Sequence, residues 1–331
     1  MTMDRDELAL VRASLRNVLH TSDAAGLTAA LVSLGWMELL VADPTVAIGV
    51  LAEEQGAALL ASPVVDLAML HGADLDIGPT VAVVLPPLRA GDPMSAHAVA
   101  AGWAVEGLVL PGHGRADRFL VTSLSGLLMV SAGALMFSPV AGGDVGLGLH
   151  RANGVVPTSD VEVVGDGAAR EAAIAGGRRA IASELVGGAA QMLANTVAYV
   201  MQRHQYGRAI GSFQAVKHRL ADVHVATTAA RSGVAAAWQH PDPVTAMAAK
   251  CLAGRAHQLA STHCHQVHGG IAFTTEHGFH RWIRRGQLLD SLLGTSADLS
   301  DEIGRHLISS AAVPRVPALR DDDKEPAWAS G

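Results

Sequence analysis

The sequence predicts a mainly α-helical chain with a small β region set between two helical ones. Three observations carry this. Apolar residues recur at helical spacing as far as about His71. From Thr80 to Val163 the pattern changes to short β-like runs broken by Gly, Pro and Asp. From Ala168 onward long apolar helical segments return, and these predict a four-helix bundle.

Taken in order, Asp4–His20 reads as an amphipathic helix with Leu8, Leu10, Val11, Leu15 and Leu19 near helical spacing. A second helix spans about Ala24–Leu34, and Gly35 breaks the pattern before Trp36–Val41. Ala47–Ala61 and Pro63–His71 follow as helices. Val81–Leu85, Val105–Leu110, Phe119–Thr122, Gly126–Val130 and Val161–Val164 read as strands of a small antiparallel sheet or barrel. Ala168–Gln202 is a long helix, His218–Trp238 the next, and Pro243 opens a third that reaches about Val267. Arg281–Leu293 and Ala297–Ser309 complete the bundle. The expected domains are 1–75 (helical), 76–166 (a reduced β domain), 167–312 (the bundle) and 313–331, a charged and mobile tail.

With 331 residues, half of them hydrophobic, the chain can bury a large core. Aromatics are only 4% while glycine and alanine are abundant, so closely packed helices are expected. A net charge of −7, with no dominant basic block, gives no reason to propose nucleic acid as a partner. The acidic start is unlike a signal peptide, and no apolar run is long enough for a membrane span. Cys251 and Cys264 read as buried, reduced thiols, and the expected location is cytoplasmic. The sixteen histidines lack metal-ligand spacing.

Two stretches stand out. Arg203-His-Gln-Tyr206-Gly-Arg-Ala-Ile-Gly211-Ser-Phe-Gln214 joins two helices and places arginines and glycines at a new helix N-terminus, an arrangement suited to an anion. By itself it reads more readily as a helix–helix connection with solvated charges. Gln266-Val-His-Gly269-Gly270 follows about fifty residues later, with Glu276 beyond it. In order and spacing the pair resembles the C-terminal domain of the acyl-CoA dehydrogenases. The resemblance is strong from Arg178 to Leu307, moderate over the first seventy residues and poor in between.

That resemblance implies the family fold: an N-terminal helical domain, a β-barrel-like middle domain and a C-terminal four-helix bundle. It also implies FAD, with Arg203, Tyr206, Gln214, Gln266, Gly269 and Gly270 gripping the adenosine-diphosphate half of a flavin seated in a neighbouring subunit. An arginine can pair with the pyrophosphate, and glycines let backbone N–H groups approach it. His268 is expected to be a packed or hydrogen-bonded residue.

Other family features are absent. There is no Thr-Glu-Pro-x-x-Gly-Ser-Asp segment and no Lys-x-aromatic-Ile-Ser/Thr-Asn segment, so the flavin ring lacks its platform. The family takes the α-proton of an acyl-CoA with a glutamate at one of two positions. Here those positions hold Leu293 and Gly177. The chain is therefore expected to be a shortened, non-catalytic subunit of a heteromeric α₂β₂ acyl-CoA dehydrogenase, similar to those of actinobacterial steroid degradation. A partner subunit would supply the glutamate and bind most of a bulky acyl-CoA. Two alternatives stand beside it. One is a self-sufficient homomeric enzyme with a relocated base, Glu184 or Glu276, although a glutamate at position 184 is more simply interhelical or solvent-facing. The other is an assembly protein without FAD contacts.

Overall fold

Capping residues set the long helix starts. In α4 (Pro44–Ala58) the Asp43 carboxylate accepts from Val46 N at 3.0 Å. In α6 (Gly167–Gln202) Asp166 accepts from Ala169 N at 2.9 Å. In α8 (Pro243–His268) Asp242 accepts from Val244 N and Thr245 N. Pro44 and Pro243 fill first-turn positions where no N–H is needed. The computed structural model describes residues 5–21, 26–75, 80–88, 93–274 and 276–310. The tail expected over 313–331 lies outside them.

Five helices come first: α1 (Arg5–Thr21), α2 (Leu27–Ser33), α3 (Trp36–Ala42), α4 and α5 (Val64–Gly72). The stretch after Gly35, expected only as a break followed by an apolar run, is the helix α3. Arg12 and Arg16 of α1 reach Glu53 and Glu54 of α4, and Arg231 reaches Glu53 from the bundle.

The middle region holds two four-stranded sheets instead of one antiparallel sheet or barrel. The first has the order β1 (Val81–Val84), β4 (Arg118–Ser123), β5 (Gly126–Ser131), β8 (Val161–Gly165), with β1 parallel to β4. The second runs β2 (Ala96–Val99), β3 (Gly102–Val109), β7 (His150–Val156), β6 (Met136–Pro139), antiparallel throughout. Val84, Phe119, Val121 and Val130 of the first face Val105 and Val156 of the second across a common core. β2, β6 and β7 escaped the sequence reading because they carry His97, Ser138, His150, Arg151 and Asn153 in place of an apolar run.

The rest is helical: α6, α7 (Gln214–Gln239), α8, α9 (His280–Ser291) and α10 (Ser296–Ser310). α7 starts four residues ahead of the expected His218. α6, about 54 Å long at about 1.5 Å per residue, is the spine against which α4 and α5 pack, and glycines let them approach. A Cβ on Gly187 would stand 1.8 Å from Glu53 O, and one on Gly56 2.0 Å from Glu184 O. Gly176 and Gly72 repeat this between α6 and α5. Gly187→Ala should therefore cost about 3 kcal/mol, the upper range for overpacking, read as a lower denaturant midpoint at unchanged slope.

Asp66, in the first turn of α5 where that helix meets β1, is 2% exposed. Its Oδ1 has no hydrogen-bond partner among the described residues, and Val83 gives the carboxyl one backbone hydrogen bond. Burial pushes its pKa up to about 8, against about 3.9 for an unfolded chain. The folded state thus favours the protonated acid. That contribution to stability is complete below about pH 4 and is lost as pH rises towards 8. Asp66→Asn should flatten the fall in melting temperature between pH 5 and 8.

Among the described residues no helix is long and apolar enough to cross a membrane, and no group of His, Cys, Asp and Glu could hold a metal ion.

Candidate functional site

Arg203 closes α6, its N–H donating to Tyr199 O at 2.9 Å. A two-strand hairpin follows, β9 (His204–Gln205) and β10 (Arg208–Ala209), turning through Tyr206 and Gly207. Both turn residues have positive φ, 51° and 77°, as a two-residue hairpin turn requires. For tyrosine this conformation costs about 1–2 kcal/mol, and Tyr206 is 92% exposed, so burial does not repay it. Strain of this kind concentrates at functional positions. Phe213 holds the loop: Tyr206 meets it edge-on, and the Arg208 guanidinium lies 4.2 Å from its ring centre. α7 then begins at Gln214, and no side chain caps its N-terminus.

The second stretch ends α8. Gly269 has φ 65° and ψ −144°, a conformation essentially confined to glycine. Nothing lies within 4 Å of where a Cβ would stand on Gly269 or Gly270, so the turn faces open space. Gln266 is exposed. His268 is buried: its ring stacks on Tyr199 at 4.6 Å and its Nδ1 donates to Cys264 O at 2.9 Å. Burial lowers its pKa. This matches the expected packing role and ties the end of α6 to the end of α8. Arg203, Tyr206, Gln214, Gln266, Gly269 and Gly270 therefore share one end of the bundle.

Arg203, Arg208 and Lys217 are exposed there without an ion pair among the described residues. Unpaired cations, an uncapped helix N-terminus and an open glycine turn fit a diphosphate. A cavity of about 520 Å³ between the second sheet, the 139–149 loop and Leu288 contains none of these six residues.

The two positions expected for a base lie against each other. A Cβ on Gly177 would stand 2.6 Å from Leu293 Cδ1 and 2.9 Å from Met69 Cγ. Leu293 is 6% exposed and sits in the left-handed region at φ 56°. Two buried cations hold this turn. Arg178 Nε donates to Leu293 O at 3.0 Å. Lys250 Nζ donates to Asp290 O at 2.8 Å and Gly294 O at 2.5 Å. Both meet the carbonyls that end α9, the negative end of its dipole. Burial lowers the Lys250 pKa to about 8. Arg178 lies eleven residues inside α6.

Glu184 is 1% exposed, which excludes a solvent-facing position. It bonds Arg285 Nη1 at 2.9 Å and Gln55 Nε2 at 2.8 Å. Arg285 also pairs with Asp144 and donates to Leu60 O at 2.6 Å, near the end of α4. Burial raises the Glu184 pKa, opposed by Arg285 and both hydrogen bonds. Glu276 is exposed in a turn. Sequence reasoning missed Lys250 and Arg285. A lone lysine in the apolar run Met247–Leu252 was the available signal for the first, and none was available for the second.

Residues 165–308 match the family model for the acyl-CoA dehydrogenase C-terminal domain. The chain is 45% identical over 115 residues to the acyl-CoA dehydrogenase IpdE2 of Mycobacterium tuberculosis, a match covering 34% of this chain and 36% of that protein. The chain thus matches only about a third of that relative's length. Its fold resembles a variant of the Tcur3481–Tcur3483 steroid ACAD (TM-score 0.78, 21% identity, 93% of this chain and 99% of that one). It also resembles a chain of the ChsE4–ChsE5 complex from Mycobacterium tuberculosis (TM-score 0.75, 22% identity, 95% and 99%). Residues 165–308 thus match the acyl-CoA dehydrogenase C-terminal domain, and the architecture is that of the acyl-CoA dehydrogenase structures the chain resembles: mainly helical, with a small β region between helical parts.

Proposed function

We propose that this chain is the non-catalytic subunit of a heteromeric, FAD-dependent acyl-CoA dehydrogenase acting in the cytoplasm on a bulky, steroid-like acyl-CoA. The observation that carries this is the contact of Gly177 with Leu293. Both expected base positions meet in one apolar plug, with Met69 packed beside it and no carboxylate in it. Glu184 is no substitute, because both its oxygens are engaged by Arg285 and Gln55 in the core. Glu276, exposed to water, lacks the apolar setting that makes a carboxylate a competent base.

FAD, when bound, supplies the two-electron acceptor for α,β-dehydrogenation. This chain's part is to hold the diphosphate side. Arg203 would pair with a phosphate oxygen, the turn at Gly269 and Gly270 would leave room for its approach, the Gly269 N–H itself being given to His265 O, and Gln214 and Gln266 would satisfy polar edges, with Tyr206 as an apolar wall. The partner subunit supplies the glutamate, the ring-facing contacts and most of the acyl-CoA pocket. The heteromeric naming of the two fold neighbours supports a two-chain assembly, with α₂β₂ the simplest form. The purified chain, given FAD, a panel of acyl-CoA thioesters and an electron-accepting dye, should turn over none of them. Turnover by this chain alone would reject the proposal in favour of a relocated base.

A further inference from the structure

The cavity of about 520 Å³ lies on the outer face of the second sheet, under the loop between β6 and β7. Its size is in the range of about 300–1,000 Å³ that small-molecule sites occupy. Strand alternation decides what it presents. Val105, Val109, Ala152 and Val156 turn to the core shared with the first sheet, so Glu106, Leu108 and Arg151 turn the other way. Leu108 stands directly opposite Arg151 in the register. Leu108 is buried all the same, for the loop, with Leu149, and Leu288 of α9 close around it. The loop is pinned to the bundle, because Asp144 pairs with the buried Arg285 of α9.

The charges that line the cavity are unequally satisfied. Asp144 has Arg285 and also accepts from Gly146 N at 3.1 Å. Glu106 is not free either. Arg151 is exposed and has no ion pair among the described residues. The free charge at the cavity is therefore a guanidinium, set beside leucines. An arginine fork meets a carboxylate with two parallel hydrogen bonds, and the leucines suit an apolar body next to it. A cation of the same shape would meet the guanidinium with repulsion.

We propose that this cavity is a binding site for an apolar monocarboxylate, its carboxylate on Arg151 and its body against Leu108, Leu149 and Leu288. Such free acids are what hydrolysis of an acyl thioester leaves. The site lies wholly on this chain and shares no residue with the six expected to face the flavin, so it is open to trial without a partner subunit.

Isothermal titration of the full chain with decanoate, below its micelle concentration, tests the assignment. Wild type should bind one decanoate per chain. Arg151→Ala, at an exposed strand position, should keep the fold and weaken binding roughly 10- to 100-fold, the loss of one charge-assisted contact. Arg118→Ala, exposed on β4 and outside the cavity, should bind as wild type does. Decyltrimethylammonium, equal in chain length and opposite in charge, should not bind. Absence of saturable decanoate binding overturns the proposal. So does binding that survives Arg151→Ala, or that decyltrimethylammonium matches, for then only the apolar chain is recognised. None of these results bears on the flavin reading, which stands or falls with the flavin content of the complex.

Discussion

Arg285→Met should be the most destabilising single substitution in the bundle, costing about 3–5 kcal/mol, the range for leaving a buried charge without its partner. Arg285 stands between two carboxylates, Glu184 and Asp144, and also donates to the carbonyls of Leu59 and Leu60 at the end of α4. Methionine can fill the volume but leaves Glu184 buried without a cation and those carbonyls without a donor. Glu184→Gln should cost less, about 1–2 kcal/mol, because Asp144 still neutralises Arg285 and an amide oxygen can still accept from it. The asymmetry is the diagnostic part. A structural Glu184 predicts a stability loss with the activity of the complex retained. A catalytic Glu184 predicts the reverse, activity abolished by Gln at modest cost in stability. Denaturant unfolding of both variants, with turnover of the Glu184→Gln complex, separates the two.

Arg203→Ala should release flavin from the complex without disturbing the fold. The side chain is exposed and has no ion pair among the described residues, so its removal costs this chain little. A charge-assisted contact to a phosphate is worth about 1.5–3 kcal/mol, which corresponds to roughly 10- to 100-fold weaker FAD binding. Titration of the stripped complex with FAD reads it directly. An unchanged affinity would favour the third reading, an assembly subunit that makes no flavin contact.

Much of the architecture is legible in the sequence because it rests on local signals. The sequence opens α6 at Ala168 and α8 at Pro243, next to the caps Asp166 and Asp242, and Gly269 marks the end of α8, whereas α4 starts at Pro44, three residues ahead of the expected Ala47. The six residues expected to face the flavin lie on two short stretches whose shared end of the bundle follows from antiparallel helix order. That Leu293 and Gly177 stand where a base is expected is equally readable, one residue at a time.

What the sequence hides is long-range. Gly177 and Leu293 are far apart in the chain, and nothing in their local patterns says that one packs on the other. Arg178 is a buried donor to Leu293 O, 115 residues further along the chain. Glu184 sits within an apolar helix in sequence, and only the approach of Arg285 and Gln55 explains its burial. The polar strands β2, β6 and β7 have no apolar alternation to reveal them, because their partners in the sheet set their pairing.

The most direct test of the central claim is flavin absorbance together with native mass, measured on this chain alone and on the chain co-expressed with an acyl-CoA dehydrogenase subunit that carries the catalytic glutamate. A colourless chain that becomes part of a yellow heteromer with about one FAD per pair of chains is the predicted result. A yellow, active homomer from this chain alone would contradict it, and would mean that a working base and a complete flavin site lie within these 331 residues.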